Sequence, residues 1–181
     1  MTAPCIICVA ITGSLPRKED NPAVPITVAE QVQNTYEAFD LSHIFKAAEM
    51  HAADQIGAPP YVQFVMGVKN AMPADRDVFD DYIRTVRRLF GEDVPWCAAG
   101  IGRHQIQLNR WSIEAGGHAR AGLEDNIRID HDTRAPSNAA LVRRAADVYA
   151  NIYVEAGRPV ATAQQARRIL GPSANKTEKT A

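Results

Sequence analysis

Apolar and polar positions alternate in blocks along this chain, and the blocks predict strands and helices in turn. Residues 5–11, Cys-Ile-Ile-Cys-Val-Ala-Ile, are continuously apolar and end at Thr12-Gly13. That is the pattern of a strand buried on both faces of a parallel sheet. A polar, proline-punctuated loop spans Ser14 to Pro25, and Thr27 with Glu30 forms a capping box that opens a helix to about Phe39. Asp40 and Ser42 then cap a second helix, with Ile44, Phe45, Ala48 and Ala52 at helical spacing. No strand is expected between these two helices.

Past Gly57 and Pro59-Pro60, a second strand runs from Tyr61 to Met66 and closes at Gly67. An amphipathic helix over 75–90 carries Val78, Phe79, Tyr82, Ile83, Val86 and Leu89 on one stripe. The third strand is Trp96 to Ala99, ending in Gly100-Ile101-Gly102-Arg103, with a helix over His104 to Ala115. A fourth short strand, His118 to Leu123, ends at Glu124-Asp125. Ser137 or Asn138 caps a long helix to about Ala156, Thr162 to Leu170 is a short closing helix, and the polar tail from Pro172 is expected to be disordered. The order β-α-α-β-α-β-α-β-α implies a parallel α/β sheet of four strands in one domain, residues 1–171. A closed (β/α)₈ barrel needs eight such units in about 250 residues, so one copy supplies an incomplete barrel with open edges, which favour homo-oligomers.

Composition narrows the partners. Of 181 residues, 46 % are hydrophobic and 23 % charged, and 20 basic against 21 acidic side chains leave a net charge of −1. This balance gives no reason to expect nucleic acid or a membrane as partner. With neither a leader pattern nor a membrane-length apolar run, the cytoplasm is the expected location. Cys5, Cys8 and Cys97 are too few and too scattered for a disulfide framework. Cys5 and Cys8 face opposite sides of one strand and read as buried thiols.

Candidate chemistry centres on Gly116-Gly117-His118-Ala119-Arg120-Ala121-Gly122-Leu123-Glu124-Asp125-Asn126. Residues two apart on a strand share a face, so Arg120, Gly122 and Glu124 point one way, with open space over the glycine. At the carboxyl end of a parallel strand, an arginine and two adjacent carboxylates can supply a clamp, a base and a metal ligand. The structural alternative is an Arg120–Glu124 ion pair with Asp125 capping the next turn. Gly100-Ile101-Gly102-Arg103 is either a phosphate-approaching turn or simply a tight one. His118, at the amino end of its strand, reads as structural, whereas His104 either lines the cleft or sits in solvent. Trp96 and Trp111 read as packing residues.

Arg120-Ala121-Gly122-Leu123-Glu124-Asp125-Asn126 resembles the strand-8 signature of the β-keto acid cleavage enzymes, zinc-dependent (β/α)₈ barrels that exchange acyl groups with CoA. Supporting matches run in order along nearly the whole chain: Ile11-Thr12-Gly13, Leu15-Pro16-Arg17-Lys18, Val24-Pro25-Ile26-Thr27, Tyr61 to Val68, Gly100 to Arg103, Pro136-Ser137-Asn138-Ala139 and Gly157 to Thr162. The resemblance implies that Glu124 is a Zn²⁺ ligand, that Asp125 is the base held by Arg120, and that Gly100, Gly102 and Arg103 approach acetyl-CoA. The implied reaction converts a β-keto acid and acetyl-CoA into acetoacetate and a new acyl-CoA.

The same resemblance marks what this chain lacks. Family members hold zinc through a His-x-His pair on strand 2, and His43, His51, His104, His118 and His131 include no such pair. Leu15 stands where the family often has a glutamate. The passage from Glu37-Ala38-Phe39 into Asp40 bypasses the stretch in which the family builds strands 2 to 5. An internal loss of about four βα units accounts for both gaps, leaving equivalents of strands 1, 6, 7 and 8. Two functions follow: an enzyme of this family, or a non-catalytic remnant acting at most as a CoA-binding or interaction module.

Overall fold

A computed structural model describes residues 3–10, 35–56 and 60–170. Five strands form one sheet in the order β1-β5-β4-β3-β2, and every pairing is parallel. They are β1 (Ile7–Val9), β2 (Thr35–Ala38), β3 (Tyr61–Met66), β4 (Trp96–Gly100) and β5 (His118–Ala121). The helices are α1 (Leu41–Ala52), α2 (Arg76–Phe90), α3 (Gln105–Glu114), α4 (Asn138–Ala156) and α5 (Ala163–Leu170), with a 3₁₀ turn at Gly102–His104 leading into α3.

The fifth strand corrects the sequence reading. Thr35 to Ala38 was expected as the end of a helix, and it is β2, paired with β3 in the register Thr35↔Tyr61 to Ala38↔Phe64. The capping-box residues Thr27 and Glu30, the loop 14–25 and the tail from 172 lie outside the described residues. Two physical causes select the strand. Thr35 and Tyr36 fit a pleated surface better than a helix. Alternation also buries Ala38 in the core under α1 and α2 while turning Glu37 to the opposite face. A four-residue strand is too short for its period to stand out from the helical pattern around it.

The other elements follow their local signals. Asp40 caps α1 by accepting from Ser42 N–H at 2.8 Å, and Asp75 caps α2 by accepting from Asp77 and Val78 N–H. Ser137, not Asn138, caps α4, its Oγ accepting from Ala140 N–H at 3.1 Å. Asn138 instead accepts from Leu123 N–H at 2.8 Å and so ties the loop after β5 to α4. Thr162 and Gln165 form a reciprocal capping box on α5.

One face of the sheet is covered by helices. Val62, Phe64 and Met66 of β3 and Trp96 and Ala98 of β4 pack against Phe79, Tyr82 and Val86 of α2 and Leu108 of α3. Phe64 stacks on Trp96 with ring centroids 5.2 Å apart, so Trp96 is the packing residue its position suggested. A second cluster joins Ile7, Ala119 and Ala121 to Ile113 of α3 and Ala145 of α4. The alternate residues, Cys8, Gln63, Cys97, His118, Arg120 and Glu37, therefore face the other side, and nearly all the polar side chains of the sheet lie there. Among the described residues, no helix is long and apolar enough to cross a membrane.

Candidate active site

The polar face is organised around Arg120, which is 5 % exposed. The pairing of β1, β3, β4 and β5 places it beside Cys8 on one side and near Gln63 on the other. Its backbone is fixed by Asn109 of α3, which accepts from Arg120 N–H at 3.1 Å and donates to Arg120 C=O at 2.9 Å. The guanidinium makes four hydrogen bonds. Nε donates to Asp125 Oδ2 at 2.9 Å and Nη2 to Asp125 Oδ1 at 2.9 Å. Nη1 donates to Gln63 Oε1 at 2.7 Å and to Glu37 Oε1. Glu124 stands further off, its Oε2 3.6 Å from Nη2.

The structure thus brings Arg120, Glu124 and Asp125 together at the carboxyl ends of the strands. It adds Glu37 and Gln63, which sequence reasoning passed over because one lay in a presumed helix and the other in an apolar strand. A polar Gln63 inside the run Tyr61–Met66 was the available signal. Asp125 rather than Glu124 is the arginine's principal partner, so the simple Arg120–Glu124 ion pair is not the arrangement found.

Burial pushes the Asp125 carboxyl above the ordinary aspartate range, against the downward pull of Arg120, and the charge of Glu37 adds to the rise. Burial likewise raises Glu124, with Arg120 again opposing and Glu37 and Asp125 adding to the rise. A carboxylate made more basic while held rigid is what proton abstraction requires.

Gly102 and Arg103 line a cleft of about 750 Å³ that also receives Glu124 and Asp125. Gly102 N–H donates to Asp125 C=O at 2.8 Å, which joins the turn after β4 to the loop after β5. Gly102 has φ +58°, and a side chain there would meet only open space. Gly100 has a different role: a Cβ on it would lie 2.3 Å from His104 O, so glycine lets the 3₁₀ turn fold back onto the strand end. His104 packs its ring against Gly67 and receives a 3.4 Å contact from Arg103 Nε.

His118 is buried beneath Arg120, its Nδ1 accepting from Ile6 N–H at 3.2 Å. Burial, and then the charge of Arg158, lowers its pKa to about 4, which keeps the ring neutral in its structural role. Beside it lies a thiol cluster that sequence reasoning did not join. Cys8 Sγ is 3.1 Å from Tyr61 Oη and hydrogen-bonded to Cys97 from the strand beyond β5. The bond with Cys97, opposed by burial and aided by Tyr61 and Arg120, lowers the Cys8 pKa to about 7.

The zinc implied by the resemblance finds little here. Among the described residues no three His, Cys, Asp or Glu side chains gather as a metal would require, and Glu124 has no histidine partner. His131 shares the cleft, but its side chain is 96 % exposed and hydrogen-bonded to Asp132. The donor set does not fit the metal.

A parallel α/β sheet with a buried arginine and burial-raised carboxylates at its strand ends holds its polar groups where parallel α/β folds place their ligands. The chain belongs to the β-keto acid cleavage enzyme family, whose sequence pattern it matches over residues 4–39 and again over 30–171. It is 38 % identical to the 3-oxoadipate:acetyl-CoA acetyltransferase of Cupriavidus necator, over 94 % of this chain and 96 % of that protein. That alignment runs to 277 positions against the 181 residues present here. The chain is 35 % identical to the 3-keto-5-aminohexanoate cleavage enzyme of Fusobacterium nucleatum, over 80 % of this chain and 50 % of that one. It is also 35 % identical to the 3,5-dioxohexanoate:acetyl-CoA acetone transferase of Paraburkholderia graminis, over 75 % of this chain and 42 % of the relative. The chain thus spans about half the length of the latter two relatives.

Proposed function

We propose that this chain acts on a β-keto acid and acetyl-CoA, exchanging the acyl group to give acetoacetate and a new acyl-CoA. The observation that carries this reading is Asp125, a carboxylate raised by burial and pinned by two hydrogen bonds from Arg120 at the mouth of a cleft. Asp125 takes the proton from C2 of the β-keto acid. The resulting carbanion attacks the acetyl carbonyl, the CoA thiolate released is acylated as the bond between C2 and the original acyl carbon breaks, and Asp125 returns its proton to C2 to give acetoacetate. Glu37 and Gln63 hold Arg120 so that its guanidinium stays on Asp125. The name of the Cupriavidus relative makes 3-oxoadipate the first substrate to try.

The sheet order supports an arc of a (β/α)₈ barrel. If β1 and β5 take the places of barrel strands 1 and 8, then β4, β3 and β2 fall at 7, 6 and 5. The missing segment is then strands 2 to 4, three strands rather than the four units inferred from sequence. The doubled family match over residues 30–39 falls at this junction, just where β2 begins. The expected His-x-His pair belongs to the segment that is gone.

One observation favours a second reading, a non-catalytic binding remnant. Four of the five N–H groups of the Arg120 guanidinium are spent on Asp125, Glu37 and Gln63, and the fifth lies on the Nη2 that Glu124 faces at 3.6 Å. At most one donor is left to stabilise the oxygen of an enolate, and Glu124 alone does not make a metal site. Deuterium uptake at C2 of 3-oxoadipate in D₂O, followed by NMR with and without acetyl-CoA, separates the two. The enzyme reading expects uptake above the spontaneous rate, lost in Asp125→Asn, and appearance of a new acyl-CoA. Uptake at the spontaneous rate with no new acyl-CoA leaves only the remnant.

A further inference from the structure

The cleft that Glu124 and Asp125 line also receives three arginines. Arg103 reaches it from the turn after β4, Arg128 from the loop after β5, and Arg144 from α4. Arg76, Arg84, Arg87, Arg110 and Arg120 each hold a carboxylate within 4 Å. Among the described residues, Arg103, Arg128 and Arg144 form no such salt bridge. Arg128 spends one N–H on His131 C=O at 3.3 Å, and Arg103 makes only its long contact with His104. Three guanidiniums gathered on one cavity with most donors unspent form an anion site, because each presents a planar fork that matches phosphate oxygens.

The backbone adds a second, independent feature. The 3₁₀ turn at Gly102–His104 continues directly into α3, and Ile101 at its start has no side chain able to accept from the first N–H groups. Gly102 and Arg103 of this turn line the same cavity, and although the Gly102 N–H is spent on Asp125 C=O, the open space over Gly102 allows a ligand to approach the chain closely.

We infer that Arg103, Arg128 and Arg144 hold the phosphate groups of the CoA thioester beside Gly102, leaving its thiol arm to run toward Glu124 and Asp125. This rests on the reading that the chain uses a CoA thioester and assigns the residues that recognise it. A nucleotide-bearing diphosphate carries several negative charges, and among the cleft carboxylates Asp125 is already neutralised by Arg120. Asp130 turns its carboxylate to the backbone N–H groups of Asp132 and Thr133, and the charge of Arg144 also helps to lower its pKa.

The test measures CoA and pantetheine, which shares the thiol arm but lacks phosphate, by calorimetry on the full chain. The expected result is that Arg128→Ala and Arg144→Ala each weaken CoA about tenfold or more. Pantetheine affinity stays unchanged, and Arg144→Lys recovers part of the loss. Arg84→Ala, on an exposed salt-bridged arginine of α2, serves as the control and leaves CoA binding intact. Equal CoA affinity in wild type and both alanine variants overturns the assignment while leaving the acyl-exchange reading standing. A wild-type chain that binds no CoA overturns both.

Discussion

Arg120 meets Asp125 through two hydrogen bonds of 2.9 Å, in a pair whose side chains are only 6 % and 1 % exposed. Both charges are out of water, so each depends on the other. Removing one partner strands a buried charge, which costs more than the pair itself contributes. Asp125→Ala is expected to lower stability by about 3 kcal/mol in urea titration, the low end for a broken buried pair because Glu37 still faces the arginine. Asp125→Asn keeps an acceptor oxygen and is expected to cost less while abolishing proton transfer. A loss under 1 kcal/mol in Asp125→Ala would show the pair to be solvated.

Glu37 holds the same guanidinium from β2, but its side chain is 40 % exposed. Glu37→Gln should therefore cost less, about 1 kcal/mol or below, since water screens the lost charge. The double variant Glu37→Gln with Asp125→Asn is expected to be worse than additive, because both act on one cation. Additive losses would mean the two carboxylates do not share it.

Cys8 offers a pH-dependent readout. Its thiol, lowered to about 7 chiefly by the hydrogen bond with Cys97, should react with a small alkylating reagent at a rate that is half-maximal near pH 7. Cys97→Ala removes the largest downward contribution and should move that midpoint up. An unchanged midpoint in the variant would contradict the bond as its cause.

His118 makes stability fall in acid. Its folded pKa, about 4, lies below the ordinary histidine value of about 6.5, so the unfolded chain takes up a proton that the folded chain refuses. Stability contributed by the neutral ring is present above pH 6.5 and is lost progressively down to about pH 4, by up to roughly 3 kcal/mol. Denaturant midpoints measured across that window should slope less steeply in His118→Asn.

Two glycines of one turn should respond differently. Gly100→Ala places a Cβ 2.3 Å from His104 O and should cost about 3 kcal/mol, since backbone has to shift. Gly102→Ala enters open space and pays only for φ +58°, about 1 kcal/mol. Similar melting temperatures for the two would show that the turn relaxes freely.

The sequence made the strand-end carboxylates legible because glycine, arginine and two acids stood together on one strand at spacing two. Three of five strands announced themselves as apolar runs bounded by Gly or Pro, and β5, His-Ala-Arg-Ala, by the glycines on either side of it. β2 did not, since Thr35 to Ala38 is short, carries a charge inward, and derives its strand geometry from pairing with Tyr61 to Phe64. Glu37 was lost with it. Gln63 and the Cys8–Tyr61–Cys97 cluster join strands far apart in sequence, and no local pattern encodes such convergence.

Near the two ends of the described chain, distant segments are stitched together. Cys5 N–H donates to Pro159 C=O at 2.9 Å, Ala161 N–H donates to Cys5 C=O at 2.8 Å, and Arg158 Nε donates to Ala3 C=O at 3.0 Å. Among the described residues β1 also has no strand partner before β5, more than a hundred residues later. On a ribosome, β2, β3 and β4 can assemble in order of emergence, whereas β1 must wait, apolar and unpaired, until β5 has left the exit tunnel. The opening seven-residue apolar run is therefore the segment most in need of a chaperone during synthesis, and a nascent chain stalled before that point is the form most prone to aggregate.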